Sequence, residues 1–196
     1  MLSSDRRQRQ RDELRESIIA AAIQLAAAGW GAVTMRGIAD KLGYTAAGLY
    51  HHFPSKDSVI EEINRRGHAL MLAEFERVKD KAPRKALLGM AKAHVNIAYD
   101  HTELYQAVAG IGVTCSPDQL PAEALRIVDI IEATVLKLVA DKTMLPDAFE
   151  LLWASLTGIV NLCMSGQIEG GRKRAHHLSA LAVNQAVDSW QRRSWC

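Results

Sequence analysis

Two adjacent segments decide the fold of this chain: Thr34-Met-Arg-Gly-Ile-Ala-Asp-Lys-Leu-Gly43 and Tyr44-Thr-Ala-Ala-Gly-Leu-Tyr-His-His-Phe53. Thr34 carries a side chain typical of a helix N-cap, and the residues at 35–42 suit a short helix with an apolar face. Gly43 ends this helix, because glycine accepts the positive φ that a tight turn needs. The first segment is therefore predicted to be a short capped helix followed by a turn.

The second segment predicts another short helix. We expect Tyr44 to pack beneath the turn and Thr45 to cap a helix that runs through His52. Ser55 can cap the helix after that, and its first turn, with Lys56, offers free backbone N–H groups to a phosphate. Two short capped helices joined by a glycine turn are typical of a helix-turn-helix, whose second helix enters the major groove of DNA.

The rest of the 196-residue chain is rich in helix formers, and the alternating pattern of a strand is hard to find. We therefore predict an all-α fold with about nine helices and two domains, in residues 1–56 and 57–196. The predicted helices cover residues 12–28, 35–42, 46–52, 56–80, 83–99, 101–110, 122–141, 146–167 and 172–193.

Positive charge is concentrated at the N-terminus, in Arg6, Arg7, Arg9 and Arg11, whereas the net charge of +2 is too small to indicate nucleic-acid binding by itself. Two interpretations of this cluster are open. It is either a solvated, frayed end or a basic arm that contacts phosphates or enters the minor groove.

Several classes of function are disfavoured by what the sequence lacks. It contains no Gly-rich phosphate loop, nucleophile elbow or acid pair, so we do not expect an enzyme. No His-x-x-x-His or Cys-x-x-Cys spacing occurs, and we predict neither a metal site nor a cofactor. Of the three cysteines, Cys115 lies in a predicted loop and is either a thiol switch or inert. Without a signal peptide or a membrane-length apolar run, the chain is predicted to be cytoplasmic, with no membrane partner.

The quoted segments, continued by Phe53-Pro-Ser-Lys-Asp57, resemble the N-terminal DNA-binding domain of the TetR family of bacterial regulators. The likeness extends from about Glu16 to Ile63. It implies a three-helix DNA-binding head on a long connecting helix, followed by a helical domain that binds an effector and dimerises. It also implies DNA contacts at Thr34, Thr45, Ala46, Ala47, Tyr50, His51 and Lys56.

Ala46 departs from the family pattern, because many relatives carry lysine, arginine or another polar residue at this position. Alanine cannot hydrogen-bond a base edge, although it can touch a thymine methyl group. We therefore add Arg36 to the candidate DNA contacts. Base reading is expected to depend on Thr45, Arg36 and apolar contact, and the shape of the DNA supplies the rest.

The resemblance further implies that the last two long helices pair with their copies across a two-fold axis. Residues 151–164 are apolar nearly all round, so this helix must be covered on every side. A two-fold homodimer suits palindromic DNA, and the alternative is a monomer whose last helices cover their own core. The candidate interface residues on the final helix are Leu178, Leu181, Gln185 and Trp190.

Two shorter segments, His101-Thr-Glu-Leu-Tyr105 and Trp153-Ala-Ser-Leu-Thr-Gly158, loosely resemble signatures of one C-terminal subgroup of the family. Thr157 stands where the Trp-x-x-x-His-Gly signature has histidine, and the likeness assigns no ligand. Helical sensors build pockets between helices, with apolar walls and a few polar anchors. The candidates for such a pocket, each of which is otherwise ordinary core, are Met90, His94, Tyr105, Trp153, Thr157, Asn161 and Met164.

Three functions are open on these observations. The first is a repressor that a small apolar effector releases from a palindromic operator in double-stranded DNA, and the family resemblance favours it. The second is a DNA-binding protein whose C-terminal domain binds a protein partner, against which a closed, ligand-sized cavity would argue. The third is a helical enzyme, for which the sequence holds no motif.

Overall fold

The computed structural model describes residues 2–112 and 120–191, and these residues form nine α-helices. The helices are α1 (Leu2–Ala26), α2 (Met35–Leu42), α3 (Ala46–Leu49), α4 (Lys56–Glu76), α5 (Pro83–Asp100), α6 (Thr102–Ala109), α7 (Ala122–Val135), α8 (Leu145–Met164) and α9 (Gly171–Trp190). The predicted all-α fold with a helix-turn-helix is confirmed. The alternatives for Cys115 concern a residue outside the described ranges.

Helix α1 departs from its prediction because it begins at Leu2 instead of residue 12. The added segment is rich in arginine and glutamine, which are good helix formers, and it contains neither glycine nor proline. Gln8 supports this segment, since its Nε2 donates to Oδ1 of Asp12 at 2.9 Å, one helical turn away. The N-terminal arginines therefore lie on a helix, and both interpretations of the cluster stay predictions.

Helix α7 is shorter than predicted and ends at Val135 instead of residue 141. Asp141 accepts a hydrogen bond of 2.9 Å from the backbone N–H of Thr143 and caps a 3-10 turn at Lys142–Met144. Aspartate favours local caps of this kind over the interior of a helix, so the apolar pattern alone overestimated the helix.

The described residues divide into two compact units, and each takes its residues from more than one stretch of the chain. The first unit comprises Met1–Gly67 and Glu103–Gln119, and the second comprises His68–Thr102 and Leu120–Cys196. The division by contacts falls inside helix α4, whereas the predicted functional boundary lies at residue 56. Helix α6 belongs, by its contacts, to the unit that contains the helix-turn-helix.

The core of the first unit joins the three N-terminal helices to the start of α4. Ile18 of α1, Ile38 of α2, Leu49 of α3 and Ile63 of α4 are all fully buried there. Burial of an aliphatic side chain of this size stabilises a fold by about 1.5–3 kcal/mol relative to leaving it exposed. These apolar anchors hold the two short helices, which are too short to be stable alone.

A polar network on the surface of the first unit connects α1 to α4. Arg66 of α4 donates to Glu16 of α1 at 2.6 and 2.7 Å and to Glu62 at 2.8 Å. Glu62 also accepts hydrogen bonds from Arg65, and the bonds from Arg65 and Arg66 lower the pKa of Glu62 to about 2. The carboxylate of Glu62 therefore stays charged in the folded protein at neutral pH.

Helices α4 and α6 approach each other closely within the first unit. Asn64 of α4 donates from Nδ2 to the backbone carbonyl of Ala107 at 2.8 Å. A Cβ atom at Gly67 would lie 2.6 Å from Cγ2 of Val108 and 2.7 Å from the carbonyl oxygen of Leu104. Only glycine allows this crossing, because the second neighbour is backbone and cannot turn away.

The second unit is built on α5, α8 and α9, which pack along one another, with α7 against α5 and α8. Arg172 at the start of α9 donates to both carboxylate oxygens of Asp100 at 2.7 Å and to Asn96 at 2.8 Å. Trp190 near the end of α9 is only 2% exposed and is part of the unit's own core. Within residues 2–112 and 120–191, no helix combines the length and the apolar character needed to cross a membrane.

We predict that Gly67→Ala destabilises the protein although alanine is the better helix former. The added Cβ forces α4 and α6 apart, and overpacking of this kind costs about 1–3 kcal/mol. Urea denaturation followed by circular dichroism measures the free energy of unfolding. Gly31→Ala is the matched control, because a Cβ at Gly31 meets nothing within 4 Å. Equal stability of the wild type and Gly67→Ala would contradict the prediction.

Candidate nucleic-acid interface and effector cavity

The turn between α2 and α3 has the geometry that the two capping threonines and Gly43 predict. Thr34 Oγ1 accepts from the backbone N–H of Gly37 at 2.9 Å, and Thr45 Oγ1 accepts from that of Gly48 at 3.2 Å. Gly43 adopts the left-handed conformation, with φ 71°. The N–H of Tyr44 then bonds back to the carbonyl of Ala39 at 3.0 Å, which closes the end of α2.

The second helix of the motif is shorter than predicted and ends at Leu49 instead of His52. The chain continues in turns, in which the N–H groups of His52 and Phe53 bond to the carbonyl of Leu49 at 2.8 and 3.0 Å. The carbonyl of Leu49 thus accepts two turn hydrogen bonds, and Pro54 keeps a helix from continuing beyond Phe53. Leu49, the last residue of α3, and Phe53, four residues later, are both buried, so they anchor the two ends of the turn segment that follows α3.

Most of the predicted DNA contacts share an exposed position. Tyr50 is 50% exposed, and the side chain of Arg36 is 90% exposed, with Asp40 at 3.9 Å. Ala46 and Lys56 are half-buried, and Ala46 packs against the apolar core of the first unit. A base contact by Ala46 is therefore restricted to the part of its methyl group that stays exposed. The exposed predicted contacts are Thr34, Arg36, Thr45, Ala47, Tyr50 and His51.

Tyr44 lies differently from its prediction. It is 52% exposed and does not pack beneath the turn, whereas Ala39 and Leu49 on either side of it are buried. Its aromatic ring and hydroxyl are available beside the exposed face of α3. The apolar spacing of the sequence suggested a core role for Tyr44, and only the direction of the chain after Gly43 reveals the exposed one.

Arg15 of α1 is a residue of this region that the sequence analysis did not name. It donates to the backbone carbonyl of His52, and its guanidinium carbon lies 4.2 Å from the centre of the Phe53 ring. A cation over an aromatic face and a charged hydrogen bond to a carbonyl both stabilise the turn after α3. Arg15 therefore positions the end of the recognition helix against α1.

Positive charge is concentrated around His52. Burial lowers its pKa, and the nearby charges of Arg11, Arg15 and His51 lower it further. Each of these neighbours is a cation or a histidine, so the protonated ring has no opposite charge among the groups that affect it. The charged groups that act on His52 at the end of the helix-turn-helix are therefore all cationic.

The second unit contains a small apolar cavity of about 20 Å³. This volume accommodates roughly one water molecule and is far below the 300–1,000 Å³ of a typical ligand site. Its walls come from α4, α5, α7 and α8, and the residues that line it are Phe75, Leu87, Met90, His94, Ile131, Leu152, Trp153 and Leu156. A molecule larger than water can enter only if these side chains move.

The structure places three of the predicted pocket residues at this cavity and four elsewhere. Met90, His94 and Trp153 line it, and the rings of His94 and Trp153 are 5.4 Å apart with a tilt of 49°. Thr157, Asn161 and Met164 are half-buried on α8 but do not line it. Tyr105 is fully buried and belongs to the first unit, where burial raises the pKa of its hydroxyl.

His94 is the polar group of this apolar cavity. It is 2% exposed, and burial lowers its pKa to about 4. The imidazole is therefore neutral at physiological pH, with one nitrogen able to donate and one able to accept a hydrogen bond. A neutral imidazole offers a polar anchor to a ligand but no charge to a carboxylate.

The surface of α8 and α9 carries exposed apolar side chains that the second unit does not cover. Leu151 and Leu162 of α8 are 52% and 39% exposed, and Leu181 of α9 is 44% exposed. Of the predicted interface residues, Gln185 is also exposed, Leu178 is half-buried and Trp190 is buried. A shallow groove of about 330 Å³ runs between the two helices beside Leu151, Gln185 and Trp190. Sequence reasoning missed Leu151 and Leu162, although the all-round apolar character of α8 was the signal.

Among the described residues, no three or more of His, Cys, Asp and Glu lie together in a way that could hold a metal ion. The predictions that concern metals, cofactors and enzymatic activity stay predictions.

Family comparisons match both parts of the chain. Residues 18–63 match the family model described as bacterial regulatory proteins of the tetR family. Residues 87–184 match a second model, described as a tetracyclin repressor-like C-terminal domain. The first match contains the helix-turn-helix, and the second contains most of the helices of the second unit.

Curated relatives align with part of the chain. The HTH-type transcriptional repressor KstR2 of Mycolicibacterium smegmatis is 36% identical over 85 residues, which is 42% of this chain and 40% of that protein. KstR2 of Rhodococcus jostii is 30% identical over 91 residues, 44% of this chain and 45% of the relative. The chain thus spans less than half the length of these relatives.

Solved structures share the fold over nearly the whole chain. The TetR family transcriptional regulator PfmR from Thermus thermophilus has a TM-score of 0.66 at 21% identity, over 87% of this chain and 97% of that one. A regulatory protein of the tetR family from Rhodococcus RHA1 has a TM-score of 0.68 at 21% identity, over 88% of this chain and 96% of that one. At such identity these structures establish the fold alone.

We predict that protonation of His94 makes the protein less stable in acid. The folded pKa of about 4 lies below the unfolded value of 6.5, so the unfolded chain binds the proton first as the pH falls. Stability therefore falls from about pH 6.5, and the full loss, about 3 kcal/mol, is reached below pH 4. Urea denaturation from pH 7 to pH 4 should show a smaller loss for His94→Gln than for the wild type. An unchanged pH dependence in His94→Gln, with exposed His177→Gln as the control, would contradict this prediction.

Proposed function

Because the chain belongs to the TetR family of bacterial transcriptional regulators, we propose that it is a repressor released from DNA by a small molecule. In this proposal a cytoplasmic homodimer binds a palindromic operator, and a small, largely apolar effector dissociates the complex. The observation that carries the proposal is the doubly capped helix-turn-helix, which presents Thr45, Tyr50 and His51 on one exposed surface.

DNA binding follows from the chemistry of that surface. Thr45 and Arg36 can hydrogen-bond base edges, whereas Tyr50, His51 and Lys56 suit phosphate oxygens. Lys56 is the first residue of α4, where the free backbone N–H groups of a helix start also favour an anion. Two such heads related by a two-fold axis match the two halves of a palindrome.

The dimer follows from the exposed leucines of α8 and α9. Leu151, Leu162 and Leu181 would each leave water if a second copy packed its own α8 and α9 against them. Small residues such as Gly158, beside which a Cβ would meet nothing within 4 Å, leave room for close packing. Trp190 lies in the core of its own protomer beneath this face, since its side chain is only 2% exposed.

The cavity beside His94 and Trp153 supports the proposed effector. Its walls are apolar, and neutral His94 supplies one hydrogen-bonding anchor, so an uncharged ligand with one polar group fits its chemistry. Because the cavity holds about one water, such a ligand must bind a state in which the walls have separated. It therefore favours that state over the closed one, and this difference in affinity is what shifts a regulator away from DNA.

The small volume of the cavity, about 20 Å³, also favours a second candidate. In that alternative, the second unit binds a protein partner and no small effector. Displacement of the protein from its DNA by apolar compounds of low molecular weight distinguishes the two candidates, since the alternative expects no release by any of them.

We predict that selection from random duplex DNA by the purified protein enriches a palindrome. The double variant His51→Ala, Lys56→Ala should lose this enrichment, because removal of two phosphate contacts from each head weakens binding to every sequence until little DNA is retained in the selection. The matched control is His177→Ala with Lys173→Ala, two exposed residues of α9 with the same change of charge. The proposal of specific recognition would be wrong if the wild type enriched no motif and bound DNA only at low salt, whatever its sequence.

We predict that Leu181→Glu converts the dimer to a monomer, as measured by light scattering after size-exclusion chromatography. A carboxylate at this position would be buried without a partner in the interface, which costs several kcal/mol. The matched control is Leu125→Glu on α7, where the leucine is 55% exposed but lies off the α8–α9 face. A Leu181→Glu protein that remains dimeric would rule out this interface.

A further inference from the structure

We propose that a groove between the N-terminal half of α1 and the helix-turn-helix binds the sugar-phosphate backbone of DNA, as a second contact surface beside the recognition helix. We call it the N-terminal groove and define it by Gln10, Arg11 and Leu14 of α1, Tyr44 of the turn, and His51 and His52 after α3. The inference rests on the proposed function, because it extends the DNA contacts of the same head.

The N-terminal groove has the size and openness for a polymer strand. Its volume is about 970 Å³, and it is open to solvent, whereas the cavity beside His94 is only about 20 Å³. It begins at the exposed face of the helix-turn-helix, since Tyr44 and His51 belong to both surfaces. A DNA strand that leaves the recognition helix can therefore continue along the groove without a gap in contact.

The charges of α1 are arranged for an anion on this side. Arg11 lines the groove, and Arg7 lies one turn earlier on the same helix face. Asp12 and Glu16 lie on the opposite face, where Asp12 accepts from Gln8 and Glu16 pairs with Arg66. Glu13 is the acidic residue that lines the groove, and it lies at the edge nearest the acidic face.

The histidine at the inner end of the groove has unused hydrogen-bonding capacity. Nδ1 of His52 is buried and has no hydrogen-bond partner within the described residues, although its ring lines the groove. The cations around it, Arg11, Arg15 and His51, lower its pKa together with burial. An anionic group in the groove would offset the repulsion among these cations.

The helical form of the N-terminus adds to the argument. Helix α1 continues from Gln10 back to Leu2, so Arg6 and Arg7 lie on a helical extension of the groove wall. A preformed helix loses less conformational freedom on binding than a disordered arm. DNA carries one charge per about 1.7 Å of duplex, which is the kind of partner that a row of arginines along a helix suits.

The test compares Arg11→Ala with Arg9→Ala in the full-length protein. Both variants remove one positive charge from an exposed position of α1, but Arg9 lies on the face with Asp12 and Glu16 and does not line the groove. Fluorescence anisotropy measures binding to two duplexes, the selected operator and a random-sequence duplex of equal length, from about 50 to 200 mM salt. Thermal melting followed by circular dichroism verifies that both variants are folded.

We expect Arg11→Ala to weaken binding of both duplexes by a similar factor, about three- to tenfold for each phosphate interaction that the variant removes. The slope of log affinity against log salt should fall by about 0.9 for each such interaction. Arg9→Ala should change neither quantity by as much, and Arg11→Lys should recover most of the affinity. The enriched operator sequence should be the same for the wild type and Arg11→Ala, because backbone contacts carry no sequence information.

Equal effects of Arg11→Ala and Arg9→Ala on affinity and salt slope overturn the inference, since the groove would then add nothing beyond net charge. A changed operator sequence with Arg11→Ala overturns it as well, because Arg11 would then read bases. If the wild type enriches no motif, the proposed function fails, and the random-sequence duplex still decides the groove. If Arg11→Ala binds the random-sequence duplex more weakly than Arg9→Ala does, the groove is supported. If the two variants bind it with equal affinity, the inference is overturned.

Discussion

The turn at Gly43 is the constraint on which the rest of the first unit depends. With φ at 71° and threonine caps on both sides, it sets the direction of the chain from α2 into α3, and the shared apolar core holds both helices in place. That direction places Leu49 in the core and leaves Thr45 and Tyr50 outside. A side chain at residue 43 would strain the turn and move every exposed group of α3 at once, so a single backbone conformation determines the orientation of the whole surface.

Two neighbouring residues of α1 extend this constraint beyond the turn. Arg15 holds the carbonyl of His52 and the ring of Phe53, while Glu16 holds Arg66 of α4. The first fixes the end of the recognition helix, and the second fixes the helix that follows it. Helix α1 therefore acts as a rigid base for the motif, and its N-terminal extension brings further positive charge to the same side.

The sequence was most informative where local chemistry decides the structure. The caps at Thr34 and Thr45 and the turn at Gly43 were predicted correctly, because each depends on one side chain and the backbone beside it. The exposed position of Tyr44 and the contacts of Arg15 with His52 and Phe53 could not be predicted, since they depend on which helix lies opposite. In the cavity, Met90, His94 and Trp153 came together as expected. Tyr105 did not, because the close crossing at Gly67 makes α6 part of the first unit.

The small cavity beside His94 would, under the proposed effector control, have a consequence for how sensitively the protein responds. When a ligand binds only an open state, its apparent affinity is reduced by the fraction of molecules that are open. An open fraction of about one per cent would raise the concentration for half-response about a hundredfold. The side chains of Met90 and Trp153 would then set the response threshold of the switch without touching its DNA-binding surface. Natural variation at these two positions would retune the regulator while leaving its target sequence the same.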